Sequence, residues 1–129
     1  MSADYLYEEL TYKIIGAGYT VHKSLGSVHK ESVYHKALAH ELDLLKIPYK
    51  TEAALEVKYK GKKVGVYKPD FIVDGKVLVE IKAAEFIPET YESQLSYYLK
   101  GTGYKVGLLL NFGTKSLDVR RRIYDKISR

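Results

Sequence analysis

The sequence contains no cysteine, which excludes a disulfide framework and a thiolate metal site. No apolar run approaches the ~20 residues that a transmembrane helix needs, and the N-terminus shows no signal-peptide pattern. These absences predict an intracellular, cytoplasmic protein with no membrane partner. Tryptophan is absent too, whereas tyrosine is unusually common, at 13 residues, which we attribute to packing at half-buried positions.

The length of the chain limits its number of domains, and its charge limits the kinds of partner it can bind. A chain of 129 residues has the usual size of one compact unit, so we expect a single domain over 1–129. The 21 lysines and arginines outnumber the 16 aspartates and glutamates, which gives a formal net charge of +5. An excess of this size permits contact with a phosphate backbone without requiring it.

The order of predicted elements indicates the fold class. Apolar spacing and turn signals predict helices at about 5–24, 31–46 and 88–100, and strands at about 54–59, 64–73, 77–83 and 106–112. In the second helix the apolar stripe is Leu38, Leu42 and Leu45. The end of the chain, from Ser116, fits either a helix or an edge strand. This order predicts an α/β protein with a central mixed β-sheet flanked by helices.

An acid and a lysine interrupt the third predicted strand. Alternation places Leu78, Glu80 and Lys82 on one face of that strand, between apolar residues that face the other way. Charged groups in such surroundings are costly unless they have partners. Asp70, near the end of the preceding strand, is within reach across the hairpin.

The length of the loop between these strands decides whether the two acids meet. With a two-residue Asp74-Gly75 turn, Asp70 would face Val79, and Glu80 would point to the opposite side. With a three-residue loop centred on Gly75, Asp70 pairs directly with Glu80. The sequence is compatible with both loops, and a site needs the second one or a bulge near Pro69.

Two carboxylates held together repel each other, and a divalent cation relieves that repulsion. Oxygen ligands suit Mg²⁺ or Mn²⁺, which polarise a phosphate and lower the pKa of a bound water. Lys82 would neutralise charge that develops on the phosphate oxygens or orient the attacking water. Glu31, one helical turn before His35 on the second helix, points towards the core or a cleft and would add a ligand directly or through water.

Several segments of the chain carry a family resemblance, from about Tyr5 to Phe112 and in the right order. They are Glu31-Ser32-Val33-Tyr34, Tyr67-Lys68-Pro69-Asp70-Phe71, Val79-Glu80-Ile81-Lys82-Ala83, Gln94-Leu95-Ser96-Tyr97-Tyr98-Leu99 and the strand within 103–113. Together they resemble the GxxExxY proteins, a branch of the PD-(D/E)XK nuclease superfamily, and the fourth resembles the QxxxY motif of RecB-like nucleases. The resemblance implies a restriction-endonuclease-like core that cuts phosphodiester bonds.

The resemblance also implies roles for individual residues. The metal ligands would be Asp70, Glu80 and the main-chain carbonyl of Ile81, with Glu31 contributing from the helix. Lys82 would be the catalytic lysine. Gln94 and Tyr98, four residues apart on one helical face, would orient the substrate or the active-site groups; for Tyr98, core packing explains the residue equally well.

Other features fit the family pattern less well. Val28 stands where the family signature has its first glycine, so the segment that leads to Glu31 departs from the family pattern. His35 could have a minor role near the site, but a packed or exposed histidine explains it better. The arginines at 120–122 could contact a phosphate backbone, although a solvated terminal segment is the simpler account.

The leading hypothesis is a Mg²⁺- or Mn²⁺-dependent nuclease that acts on DNA. One alternative is a non-catalytic module that keeps the nuclease fold and binds nucleic acid. Another is a protein-interaction or toxin-associated domain, for which the basic excess is incidental. A third is a homodimeric, structure-specific nuclease of the junction-resolving kind.

Overall fold

The computed structural model describes residues 6–124, so the predicted first helical residue, Tyr5, lies outside the described residues. The described chain forms helices and strands in a mixed order. Their bounds are α1 Glu8–Leu25, α2 Glu31–Leu44, β1 Tyr49–Thr51, β2 Leu55–Tyr59, β3 Lys62–Tyr67, β4 Phe71–Val73, β5 Val77–Lys82, α3 Glu89–Thr102, β6 Val106–Asn111 and β7 Asp118–Ile123.

Five of the strands form one mixed sheet in the order β1-β4-β5-β6-β7. Strands β5 and β6 are parallel and joined through α3, whereas the other three pairings are antiparallel. Helices cover the two central strands, so the side chains of β6 are buried along its whole length. The predicted α/β class, with a mixed sheet flanked by helices, is confirmed.

The two faces of β5 pack against different helices. Val77, Val79 and Ile81 join the core cluster formed with α1 and α2. Leu78 packs on the opposite face, in the cluster that contains Leu99 of α3. Because side chains alternate along a strand, Glu80 and Lys82 emerge on the same side as Leu78, as predicted.

The strand predicted at 64–73 is wrong, because it is two strands in different sheets. Residues up to Tyr67 pair with β2 in a separate two-stranded ribbon, and the chain resumes in the main sheet at Phe71. Pro69 lies in the break, where it supplies no backbone N–H for a continuous ladder. A short strand, β1, was not predicted. The described part of the segment from Ser116 forms the edge strand β7, and residues 125–129 lie outside the described residues.

The apolar stripe predicted for α2 is wrong at one of its three positions. The buried residues are Tyr34, Leu38 and Leu42, whereas Leu45 is 48% exposed. The helix ends at Leu44, so Leu45 falls outside the helical period. Glu31 is the first residue of the helix and therefore stands at its N-terminal edge.

Candidate active site

The β4–β5 hairpin has the odd-length loop that the site requires. The paired residues are Phe71↔Val79, Ile72↔Leu78 and Val73↔Val77. This register leaves three residues in the loop, centred on Gly75. Asp74 and Gly75 have φ values of 52° and 64°, and hairpin turns of the primed type need this left-handed backbone. Asp70 lies one position before β4 and therefore stands opposite Glu80.

Reciprocal hydrogen bonds connect the two acids to the backbone around them. The Asp70 N–H donates to Glu80 Oε1 at 2.9 Å, and the Ile81 N–H donates to Asp70 Oδ2 at 2.6 Å. One oxygen of each carboxyl is thereby oriented. Among the described residues, no side chain donates a hydrogen bond of normal geometry to the second oxygen of either carboxyl.

The electrostatics of Glu80 reflect its position. The pKa of the Glu80 carboxyl is raised to about 7, chiefly by burial and also by the nearby Asp70 charge. The hydrogen bond from the Asp70 N–H and the Lys82 charge act in the opposite direction without cancelling the effect of burial. The site therefore holds an acid whose ionisation the surroundings oppose.

The donor set at this position fits a hard divalent cation. The N–H of Ile81 points to Asp70, and because N–H and C=O of one residue in an antiparallel strand face the same neighbour, the Ile81 carbonyl lies on the same edge. Two carboxylates and a carbonyl are oxygen ligands of the kind that Mg²⁺ and Mn²⁺ take. A cation would also offset the repulsion that raises the Glu80 pKa.

Glu31 lies close to this region but apart from the acid pair. It is exposed, and with Asp70 and Ile81 it lines a cleft of about 360 Å³. Within residues 6–124, no three His, Asp or Glu side chains come together closely enough to hold a metal ion. His35 lines the same cleft, stacks on Phe71 at 4.4 Å between ring centroids, and places Nε2 3.3 Å from the Asp70 carbonyl oxygen.

The predicted residues on the α3 side do come together. Lys82, Gln94 and Tyr98 line one narrow pocket with Glu80. Lys82 Nζ lies 4.9 Å from the centre of the Tyr91 ring, which sequence reasoning did not connect with the site. The strand face and the helix face that were predicted separately therefore meet at one place.

Tyr67 is the main site residue that sequence reasoning missed. Its ring stacks on Tyr98 with 3.7 Å between centroids, and only 6% of the residue is exposed. Burial, and then the charge of Glu80, raise the pKa of the Tyr67 hydroxyl. The hydroxyl is close to Glu80, yet it makes no hydrogen bond of acceptable geometry within the described chain. The sequence signal that could have identified Tyr67 is its position three residues before Asp70, within a segment that resembles a family motif.

Tyr34, the tyrosine of the first motif, has a structural role. Its hydroxyl donates to the Gly26 carbonyl at 2.5 Å and accepts from the His29 N–H at 3.2 Å, and its ring stacks on Phe112. These bonds fix the loop that leads to Glu31. Val28, in that loop, is 84% exposed and has no positive φ, so the valine fits where the family has glycine.

Asn111 fixes the end of the strand that carries Lys82. The Asn111 side chain is fully buried, and it accepts from the Ala84 N–H at 3.0 Å and donates to the Ala84 carbonyl at 2.9 Å. Gly113 follows at a very close approach, because a Cβ there would lie 2.3 Å from the Ala84 nitrogen. No sequence pattern pointed to this clamp.

The arginines at 120–122 have structural partners. Arg120 and Arg122 both pair with Glu92 of α3, and Arg121 donates to the Thr11 hydroxyl at 2.9 Å. All three are half-buried, so a solvated terminal segment, the simpler prediction, is wrong. They connect β7 to helices on both faces of the sheet.

Comparisons with known proteins agree with this fold. A search of curated proteins finds no match. The crystal structure of SSO0001 is similar, with 20% sequence identity and a TM-score of 0.52, over 95% of this chain and 62% of that one. This chain thus spans less than two thirds of that structure, and the likeness concerns the fold alone. A family profile described as the PD-(D/E)XK nuclease superfamily matches residues 8–123, and this chain belongs to that superfamily.

Proposed function

We propose that this chain is a Mg²⁺- or Mn²⁺-dependent nuclease that hydrolyses phosphodiester bonds in DNA, and that residues 1–129 act as one cytoplasmic nuclease domain. The observation that carries the proposal is the pairing of Asp70 with Glu80 through reciprocal backbone hydrogen bonds, with Lys82 beside Glu80 in the same pocket. Two ionised carboxylates this close repel each other unless a cation lies between them, and Lys82 is placed to stabilise negative charge that develops during phosphodiester hydrolysis.

The residues would divide the work as follows. Asp70, Glu80 and the Ile81 carbonyl would hold the cation, and Glu31 would reach it directly or through water. When bound, the cation would polarise the scissile phosphate and lower the pKa of a water molecule. Lys82 would neutralise charge that develops on the phosphate oxygens during attack.

The α3 residues would position the substrate. Gln94 is exposed and Tyr98 half-buried in the pocket that also contains Glu80 and Lys82. The stack of Tyr98 on Tyr67 restricts the Tyr98 ring to one orientation. A side chain held in this way loses little further entropy when substrate binds, which favours accurate placement of the reacting phosphate.

The test is cleavage of labelled single-stranded, double-stranded and branched DNA and RNA, with Mg²⁺, Mn²⁺ or EDTA. We expect metal-dependent cutting of DNA by the wild type and a loss of roughly 100-fold or more in Lys82→Ala, as for other charge-stabilising groups. Lys76→Ala is the matched control, because Lys76 is an exposed lysine of the β4–β5 loop, and its ion pair in the described part of the chain is with Asp74. Its cleavage rate should equal that of the wild type.

Two outcomes would contradict the proposal. Equal cutting by the wild type and Lys82→Ala would remove the mechanism, and no cutting by a folded wild type would favour a binding module. Branched DNA is included because a homodimer that resolves junctions would prefer it, and size-exclusion chromatography with light scattering measures whether the chain pairs.

A further inference from the structure

The β2–β3 ribbon, residues 55–67, is separate from the main sheet. Leu55 and Val57 of this ribbon pack in the cluster that contains Leu99 of α3. Val57 also lies close to Gly101 of α3, since a Cβ at Gly101 would be only 3.0 Å from the Val57 side chain. The two strands join at Gly61, which has a φ of 80°. The ribbon is therefore held beside α3 at its base, and residues 58–64 around its turn are exposed.

The ribbon carries a high local excess of positive charge. It carries four lysines, Lys58, Lys60, Lys62 and Lys63, and one acid, Glu56, which gives a formal charge of +3 out of +5 for the whole chain. All four lysines are exposed. None of them forms an ion pair with any residue that the structure describes.

The arrangement of these lysines is unfavourable for the ribbon itself. Lys58 and Lys63 are direct cross-strand partners, and like charges in that position destabilise a strand pair. A two-stranded ribbon is only marginally stable to begin with. Lysines on exposed edges do guard against pairing with other chains, but that purpose does not require two of them opposite each other. An anionic partner between the lysines would remove the repulsion.

We propose that the β2–β3 ribbon is a DNA-binding arm that enters the major groove of a B-form duplex beside the cleavage site; this proposal rests on the proposed nuclease function. The major groove of B-DNA, ~12 Å wide, admits a two-stranded ribbon, whereas the deep, narrow major groove of RNA does not. Binding of single strands relies on several stacking aromatics, and the exposed side of the ribbon has one, Tyr59.

The position of the arm relative to the site sets a length. Tyr67, at the base, lies near Glu80, and Lys62, at the tip, is five residues further along the same strand, or ~16 Å. Successive base pairs are ~3.4 Å apart along the helix axis. The length of the arm therefore lets its tip reach phosphates up to about five base pairs to one side of the scissile bond.

The experiment measures equilibrium binding to a labelled duplex in EDTA, so that no cleavage occurs, over a series of salt concentrations. The arm variant is Lys58→Gln, Lys60→Gln, Lys62→Gln and Lys63→Gln together. The control removes the same charge from exposed lysines elsewhere, as Lys13→Gln, Lys23→Gln, Lys76→Gln and Lys105→Gln. Circular dichroism checks that each variant is folded.

We expect the arm variant to bind the duplex at least tenfold more weakly and to lose roughly three to four from the slope of log K against log salt, since each phosphate contact contributes about 0.9. The control variant should keep the slope of the wild type. If the fourfold variant does not fold, Lys58→Gln with Lys63→Gln should lose about half as much slope.

A second readout follows cleavage in Mg²⁺ on duplexes with different lengths beside the cut. The wild type should gain activity up to about five base pairs on one side, and the arm variant should not. Equal slopes in arm and control variants, or a preference of the wild type for single strands or RNA, would overturn the arm while active cleavage keeps the nuclease function. A wild type that neither binds nor cuts any nucleic acid would overturn both.

Discussion

In the absence of divalent cations, the stability of this protein should fall as the pH rises from 5 to 8 because of Glu80. Burial raises the pKa of this carboxyl from 4.5 to about 7 in the folded chain. Between these two values the folded protein holds a proton that the unfolded chain has released. Stability decreases with pH wherever the folded state binds more protons, so the contribution of Glu80 is unfavourable above pH 7 and absent below 4.5.

The magnitude follows from the pKa difference. Each pKa unit corresponds to about 1.4 kcal/mol, so a rise from 4.5 to about 7 gives an upper limit of roughly 3 kcal/mol in the free energy of unfolding. Because part of the change lies below pH 5, about 2 to 3 kcal/mol should appear between pH 5 and 8. This is a large fraction of the stability of a small domain.

The assay is urea unfolding in EDTA at several pH values, comparing the wild type with Glu80→Gln. Glutamine keeps an acceptor for the Asp70 N–H but cannot ionise, so the difference in unfolding free energy between the two proteins isolates this one group. Glu85→Gln, at an exposed carboxyl in the following loop, is the control and should follow the wild type.

Added Mg²⁺ should reverse the effect, because a ligand that binds only the folded state stabilises it. The stabilisation should be larger at pH 8 than at pH 5 in the wild type, since the cation needs ionised carboxylates. It should be largely lost in Glu80→Gln. Identical pH profiles for the wild type and Glu80→Gln in EDTA would refute the reasoning about burial.

Two further changes test the clamp and the tyrosine stack. Asn111→Ala removes the side-chain bonds to both backbone groups of Ala84, which are partly buried, and empties a fully buried position. We expect a loss of roughly 2 to 3 kcal/mol in unfolding free energy, measured by urea denaturation, and a loss below 1 kcal/mol would contradict the role of Asn111. Tyr67→Phe keeps the stack on Tyr98 and removes a buried hydroxyl that has no hydrogen-bond partner in the described residues, so stability in thermal unfolding should stay equal or rise slightly. Tyr67→Ala removes the stack as well and should lower the free energy of unfolding by roughly 3 to 5 kcal/mol. A marked loss of stability in Tyr67→Phe would show that the hydroxyl has a hydrogen-bond partner.

Local sequence pattern was sufficient for the three helices and for β5, the strand that carries Glu80 and Lys82. Alternation along Val77–Lys82 depends only on the strand period, which is why the side of Glu80 and Lys82 could be predicted from neighbouring residues. The spacing of Gln94 and Tyr98 likewise follows from the helical period. The family motifs identified the same residues independently.

The pairing of Asp70 with Glu80 could be stated from the sequence only as two alternatives. The choice depended on whether the loop holds two residues or three, and Asp74-Gly75 is compatible with both. The register in the sheet settles it, because a shift by one residue would turn the buried side chains of β4 to the other face.

The remaining features depend on contacts between segments far apart in the chain. The stack of Tyr67 on Tyr98 and the partners of Arg120 arise only when α3 lies across the sheet. The division of 64–73 into a ribbon and a sheet strand also depends on which neighbour each half finds. Sequence periodicity thus determined which face each side chain occupies within its own element. Only the tertiary structure decided which element that face meets, because packing partners and cross-strand register are set by the whole folded chain.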